Sequence, residues 1–173
     1  MGSDNAFAAV ALPHLDAAFN LARWLTGSRA DAEDVVQEAM VRALTYFPSF
    51  RGGSSRAWIL QIVRNTAYAA LKARRGERAS AYGPDEAAAI EEIPDPADDP
   101  EKSVILSDDL ARIDALIEGL PVELRETLVL RELEDLPYRD IAQITSVPIG
   151  TVMSRLWRAR RMLVRAAAAG DRR

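Results

Sequence analysis

The sequence predicts an all-α protein made of two small helical domains joined by an acidic, flexible linker. Three observations carry this reading. Apolar residues recur at intervals of three and four through most of the chain, and no run alternates as a half-buried strand would. Ala, Leu and Arg, all strong helix formers, dominate, while aromatic residues make up only 6%. A Pro-rich acidic stretch near the middle interrupts the helical pattern, separating residues 1–78 from residues 104–173. With 49% hydrophobic and 28% charged residues, a chain of 173 residues has enough apolar material to fold, either as one ordinary domain or as two small ones.

The first helix is expected over Ala6–Leu25, stopping at Gly27-Ser28. Asp31 is a suitable N-cap for the second, with Glu33 and Asp34 near the positive end of its dipole. In that helix Val36, Met40, Ala43 and Phe47 recur at helical spacing and form the expected buried stripe, and Pro48 ends it. A loop over Ser49–Ser55, with Gly52-Gly53, leads to a third helix over Arg56–Arg75 that buries Ile59, Ile62, Val63, Thr66 and Ala70. The linker, residues 79–103, holds Pro84, Pro94, Pro96 and Pro100 among eight carboxylates, with Lys102 as its one cation. Such a stretch buries too little apolar surface to offset its ordering entropy, although a short helix over Glu86–Glu92 fits its pattern. Beyond it, Leu106, Leu110, Ile113, Ile117 and Leu120 share one helix face. Pro121 suits the first turn of the next helix, which runs to about Glu134. A short helix over Tyr138–Ile144, a turn over Thr145–Val147 and a long helix over Pro148–Ala169 complete the chain.

Net charge is −4 and the isoelectric point about 5.1, which as averages argue against a nucleic-acid partner. The charge is segregated, however. Arg64, Lys72, Arg74, Arg75 and Arg78 form one basic block, and Arg155, Arg158, Arg160, Arg161, Arg165, Arg172 and Arg173 a second. The chain has no Cys and a single His, His14, so thiolate metal sites, disulfides and Cys nucleophiles are excluded. No phosphate-binding loop, metal-ligand spacing or nucleophile–base pair is present. No catalytic residue, metal, cofactor or small-molecule substrate is therefore expected. The N-terminus lacks a secretory pattern and no apolar run reaches the length of a membrane span, so a soluble, cytoplasmic protein without membrane insertion is expected.

The stretch Leu136–Leu163 is the most informative. A short helix, a tight turn and a long helix follow one another, and the arginines cluster on the long one. Val152, Leu156, Ala159 and Leu163 mark its inward face, leaving Thr151, Ser154, Arg155 and Arg158 on the other. Small polar and Arg side chains at the start of the second helix of a helix-turn-helix suit the major groove, where Arg donates bidentately to guanine. A solvated amphipathic helix closing a bundle fits the periodicity equally well; the order of short helix, turn and Arg-bearing helix favours DNA.

The text Leu133-Glu-Asp-Leu-Pro-Tyr-Arg-Asp-Ile-Ala142, followed by Val147-Pro-Ile-Gly-Thr-Val-Met-Ser-Arg-Leu-Trp-Arg-Ala-Arg160, resembles region 4 of an extracytoplasmic-function (ECF) sigma factor of the sigma-70 family. Asp31-Ala-Glu-Asp-Val-Val-Gln-Glu38, Phe50-Arg-Gly-Gly53 and Ala57-Trp-Ile-Leu-Gln-Ile-Val-Arg-Asn-Thr-Ala67 resemble region 2. The resemblance implies an alternative sigma factor without catalytic activity. Residues 1–78 would then be region 2, which binds core RNA polymerase and the minus-ten element, and residues 104–173 region 4, which reads the minus-thirty-five element. It implies upstream-element contacts at Met153, Ser154, Trp157 and Arg158, beside Thr151 and Arg155 of the same face. Met153 stands where the family often has a basic residue, and Ser146 where it often has Gly.

The resemblance also implies that Asp34, Gln37 and Glu38, which share one helix face, grip the coiled coil of the polymerase's largest subunit. Gln61, Asn65, Tyr68 and Lys72 line one side of the third helix. Asn and Tyr can bond or stack on an unpaired base, while Lys72 and Arg75 can hold the backbone. By resemblance they engage the melted minus-ten element together with Arg51 of the Gly-containing loop. Ala69 replaces the family's usual Asp or Asn. The implied partners are core RNA polymerase, promoter DNA and an anti-sigma factor, with the acidic linker lying in the polymerase's nucleic-acid channels. Two other readings remain open on the residues alone. A stand-alone helix-turn-helix regulator leaves the Asp31–Glu38 and Trp58–Ala67 motifs unexplained, and a helical enzyme or interaction module has no supporting pattern.

Overall fold

A computed structural model describes residues 2–82 and 107–170. Among them every regular element is helical and no strand occurs. The expected first helix is two, α1 (Gly2–Ala11) and α2 (Leu15–Thr26), separated by a 3₁₀ turn over Leu12–His14. Pro13 is the cause: it has no N–H to continue the ladder and its ring crowds the preceding turn. Gly27 closes α2 in the left-handed region, φ 72°, and its N–H reaches the Arg23 carbonyl at 2.9 Å.

Helix α3 (Arg29–Tyr46) is capped by Ser28 rather than by Asp31. The Ser28 hydroxyl accepts from the Asp31 N–H at 3.3 Å, which places Asp31 inside the first turn and turns its carboxylate to Arg74 of α4 (Ser55–Tyr82), 2.5 Å away. The Asp31 bond raises the Arg74 pKa above its usual value against a smaller opposing effect of burial. The buried stripe of α3 agrees with the expected one only at Ala43. Ala32, Val35, Ala39 and Ala43 are buried, whereas Val36, Met40 and Phe47 flank them half-buried. Alanines at the centre let α2, α3 and α4 approach closely, and the bulkier side chains fill the rim of the bundle.

After α3 a 3₁₀ turn over Phe47–Ser49 leads into the glycine loop. Ser54 caps α4 by accepting the Ala57 N–H at 3.1 Å. Ala57, Ile59, Leu60, Val63, Thr66 and Ala67 are buried, while Ile62 and Ala70 are half-buried against them. Phe7, Phe47, Phe50 and Trp58 form an aromatic cluster, with Phe50 and Trp58 centroids 4.8 Å apart, so Trp58 belongs to the core. Helix α4 runs beyond Arg75 to Tyr82, into the range read as linker. The remainder of that range, its Glu86–Glu92 pattern and Leu106 lie outside the described residues.

In the second half α5 (Ser107–Glu118) contacts α8 (Ile149–Gly170), and its apolar face is covered only towards its C-terminal end. Leu120 just beyond it is buried and Ile117 half-buried, but Leu110 and Ile113, expected inside, are 53% and 50% exposed. Pro121 is the N-cap of α6 (Val122–Leu128) rather than a first-turn residue, and its carbonyl accepts the Leu124 and Arg125 N–H groups at 2.9 Å. A π-helical segment, Val129–Leu133, continues α6 and ends with the Glu134 N–H on the Val129 carbonyl at 3.1 Å.

Helix α7 (Tyr138–Thr145) and α8 form the helix-turn-helix, with Val152, Leu156 and Ala159 buried as their spacing predicts and Leu163 half-buried. The turn is made by Ser146 at φ 56°, ψ 40°, and the Val147 N–H returns to the Ala142 carbonyl at 3.2 Å. An L-residue is strained in that region, whereas Gly is not. Ser146→Gly is therefore expected to raise stability by about 0.5–1 kcal/mol, net of the larger entropy Gly has in the unfolded chain, as measured by urea unfolding.

The two halves are in contact. Helix α2 packs on α6 and the π-helical segment, α4 packs on α7, and buried side chains of both halves form one continuous cluster.

Candidate nucleic-acid interface

Helix α8 presents an open face. Met153 and Trp157 are 54% and 59% exposed, and Ser154 and Arg158 are exposed beside them. The Arg161 guanidinium lies over the Trp157 ring, 4.9 Å from its centroid. Tyr138 of α7 and Val164 join Met153 and Trp157 along one shallow apolar groove. Thr151 is half-buried. Arg155 does not join this face: its guanidinium turns inward to Glu126 at 3.4 Å, and its side chain is 15% exposed. Arg160 is paired with Glu132 at 2.6 Å, a bond that raises its pKa.

On α4, Asn65, Lys72 and Arg75 are exposed and Gln61 is half-buried. Tyr68 is half-buried with the Arg64 guanidinium over its ring at 4.2 Å. Its hydroxyl is buried without a hydrogen-bond partner among the described residues. Burial, and then the negative charge of Glu126, holds the Tyr68 pKa well above the ordinary phenol value. Arg51 is exposed in the glycine loop, donating to the Pro48 carbonyl at 2.8 Å, next to Gly52 and Gly53 at φ 90° and 91°. The third set, Asp34, Gln37 and Glu38, is exposed on one face of α3, with Glu38 bonded to Arg42.

Several features escaped the sequence reading. Val41 and Leu44, 63% and 44% exposed, continue the Asp34–Glu38 face by two turns. Their signal was present, because neither falls in the Ala32–Ala43 register. Glu126 and Glu134 are buried carboxylates with partners in the first half, and no local pattern marks them. His14 bonds through Nε2 to the Ser55 hydroxyl at 2.9 Å, tying the 3₁₀ turn to the start of α4; burial, then the Arg56 charge, lowers its pKa. Among the described residues no group of three or more His, Asp or Glu side chains could hold a metal ion, and no helix is long and apolar enough to cross a membrane.

Comparison with known proteins places both halves in one family. Residues 11–77 match sigma-70 region 2 and residues 110–163 match sigma-70 region 4. The chain is 40% identical over 147 residues to the ECF RNA polymerase sigma-E factor of Haemophilus influenzae, covering 79% of this chain and 74% of that protein. It is 39% identical over 139 residues to the ECF RNA polymerase sigma-E factor of Escherichia coli K12, covering 75% and 70%. Its fold resembles the sigma factor RpoE in complex with the anti-sigma factor NepR from Bartonella quintana, with a TM-score of 0.72, 29% identity and coverage of 88% of this chain and 90% of that one. It also resembles CnrH in complex with the cytosolic domain of CnrY, with a TM-score of 0.66, 23% identity and coverage of 96% and 90%. Matches in both halves exclude a stand-alone helix-turn-helix regulator, and the chain belongs to the ECF sigma factors of the sigma-70 family, alternative sigma factors that direct promoter-specific transcription initiation by RNA polymerase.

Proposed function

We propose that this chain works through three surfaces, each assigned to a macromolecular partner. Asp34, Gln37 and Glu38 hold the coiled coil of the largest polymerase subunit. Gln61, Asn65, Tyr68, Lys72 and Arg75 of α4, with Arg51 of the glycine loop, capture the melted minus-ten strand. The α8 face around Thr151, Met153, Ser154, Trp157 and Arg158 reads the minus-thirty-five duplex, with Arg155 held on Glu126 behind it. The domain division follows the same lines: residues 1–78 act as region 2, residues 79–103 as the linker, and residues 104–173 as region 4. The observation that carries this reading is the exposure of most of these polar and cationic side chains on helices whose opposite faces are core. Phosphate contacts supply affinity on both elements, and base contacts on α8 supply specificity.

The protein acts in the cytoplasm, where the polymerase is, and performs no chemistry of its own; the polymerase makes the phosphodiester bonds. An anti-sigma factor is a further partner. The support is the RpoE neighbour, which is bound to an anti-sigma factor. The test is run-off transcription with purified core polymerase on a set of promoter fragments from the source genome. The expected result is a discrete product from a subset of fragments that depends on this protein. Uniform absence of such products across the set would overturn the reading.

A further inference from the structure

The inner face of α8 follows the pattern of an amphipathic helix, with Val152, Leu156 and Ala159 in the core. Its outer face departs from that pattern. Ile149, Met153 and Trp157 are all exposed and recur at intervals of four, so they form one apolar ridge along the first half of the helix. Three large apolar side chains in line on an outer face contribute nothing to the core. Such a patch is the mark of a surface that meets a partner.

The charge around the ridge indicates the kind of partner. Helix α8 carries five arginines and no Asp or Glu. Arg158 is exposed beside Trp157, and the Arg161 guanidinium lies over the Trp157 ring. An apolar groove on another protein would match the ridge and leave these cations unmatched. A polyanion with an apolar spot on its surface matches both. Duplex DNA has such a spot, the C5 methyl of thymine, exposed in the major groove.

Within the ridge Met153 holds the deciding place. It is the fifth residue of the second helix of the helix-turn-helix, and the N-terminal residues of that helix are the ones that meet base edges. Its side chain donates no hydrogen bond and accepts only weakly. It therefore gains little from the polar edge of guanine or from an amino group of cytosine or adenine. A long, unbranched and polarisable chain does gain from packing on a methyl group. Met153 and Trp157 stand about 6 Å apart along the helix axis, less than two base steps of about 3.4 Å. The ridge thus spans adjoining base pairs, and exposed Ser154 and Arg158 flank it with hydrogen-bonding groups.

We infer that Met153, with Ile149 and Trp157 on either side, reads the C5 methyl of a thymine in the upstream element. A T·A pair is then specified at that position by apolar contact rather than by hydrogen bonds. The inference rests on the sigma-factor reading above and deepens it, naming a specificity-determining residue and the chemical group it selects. Arginine at the same position would select guanine instead.

The test uses the complex of the full chain with core polymerase, on a promoter fragment that yields a run-off product. Each thymine of the upstream element is replaced in turn by deoxyuridine, which removes the methyl and keeps every hydrogen-bonding group. Affinity is read by competition gel shift. In the unmodified protein at least one replacement is expected to weaken binding by about 3–5-fold, the effect of one buried methyl. In Met153→Ala the thymine fragment is expected to bind more weakly, and the same replacement to add almost nothing, so the two losses do not sum. Met153→Arg is expected to move the preference at that pair from T·A towards G·C. Circular dichroism checks that both variants keep their helices.

Indifference to every replacement in the unmodified protein would overturn the inference. So would a methyl dependence that persists undiminished in Met153→Ala. Loss of core-polymerase association by Met153→Ala in the absence of DNA, without any methyl effect, would assign the ridge to a protein surface and also overturn it. Failure of the sigma-factor reading looks different: no complex with core polymerase forms, and the inference falls with it.

Discussion

Truncating Leu156 to alanine is expected to destabilise the helix-turn-helix by about 2–5 kcal/mol and to abolish binding to duplex promoter DNA. Leu156 is 1% exposed and lies between Val152 and Ala159 on the face of α8 that packs against α6 and α7. Removing its three outer carbons leaves a cavity that α8 can close only by shifting, and that shift moves Ser154, Trp157 and Arg158 together. The measurement is urea unfolding followed by circular dichroism, paired with a gel-shift titration on the upstream element. A useful contrast is Leu163→Ala, where the side chain is only half-buried and the expected cost is correspondingly smaller. Equal costs at the two positions would show that α8 is not held by the packing described.

The second large effect concerns polymerase. Asp34→Lys combined with Glu38→Lys is expected to weaken association with core enzyme by about 100-fold or more, with little change in the unfolding midpoint. Both side chains are exposed, and the Glu38–Arg42 pair is an exposed i,i+4 pair of the kind that adds little stability. The loss would come from like charge placed against the partner surface. Binding unchanged within twofold, measured by fluorescence anisotropy at low salt, would remove the α3 face from the polymerase interface. A binding loss accompanied by unfolding would show instead that the face is structural.

Much of the architecture was legible because helical periodicity reports burial directly. Ile59 and Val63 in α4, and Val152, Leu156 and Ala159 in α8, are inside as their spacing requires. In α3 the same logic placed Ala43 correctly and the positions before it one residue off. It favoured Val36 and Met40 for their hydrophobicity, whereas tight three-helix packing selects the smaller Ala32 and Ala39 for the centre. Pro13 was a local signal that the first helix breaks, and Ser28 a better-placed cap than Asp31.

The candidate surfaces were legible where they depend on one helix alone, as with the exposed Asp34, Gln37 and Glu38. They were not legible where a partner distant in sequence decides. A helical wheel puts Arg155 outward, but Glu126, 29 residues earlier, draws it in, while Arg64 meets the same carboxylate from 62 residues away. A carboxylate on an amphipathic helix reads as solvated until the helix that covers it is known.

The most direct measurement for the account as a whole is complex formation between the purified protein, freed of any masking partner, and core RNA polymerase at low salt, followed by size-exclusion chromatography. The account predicts a stable one-to-one complex that melts promoter DNA at the minus-ten element. Separate elution of the two components would contradict it.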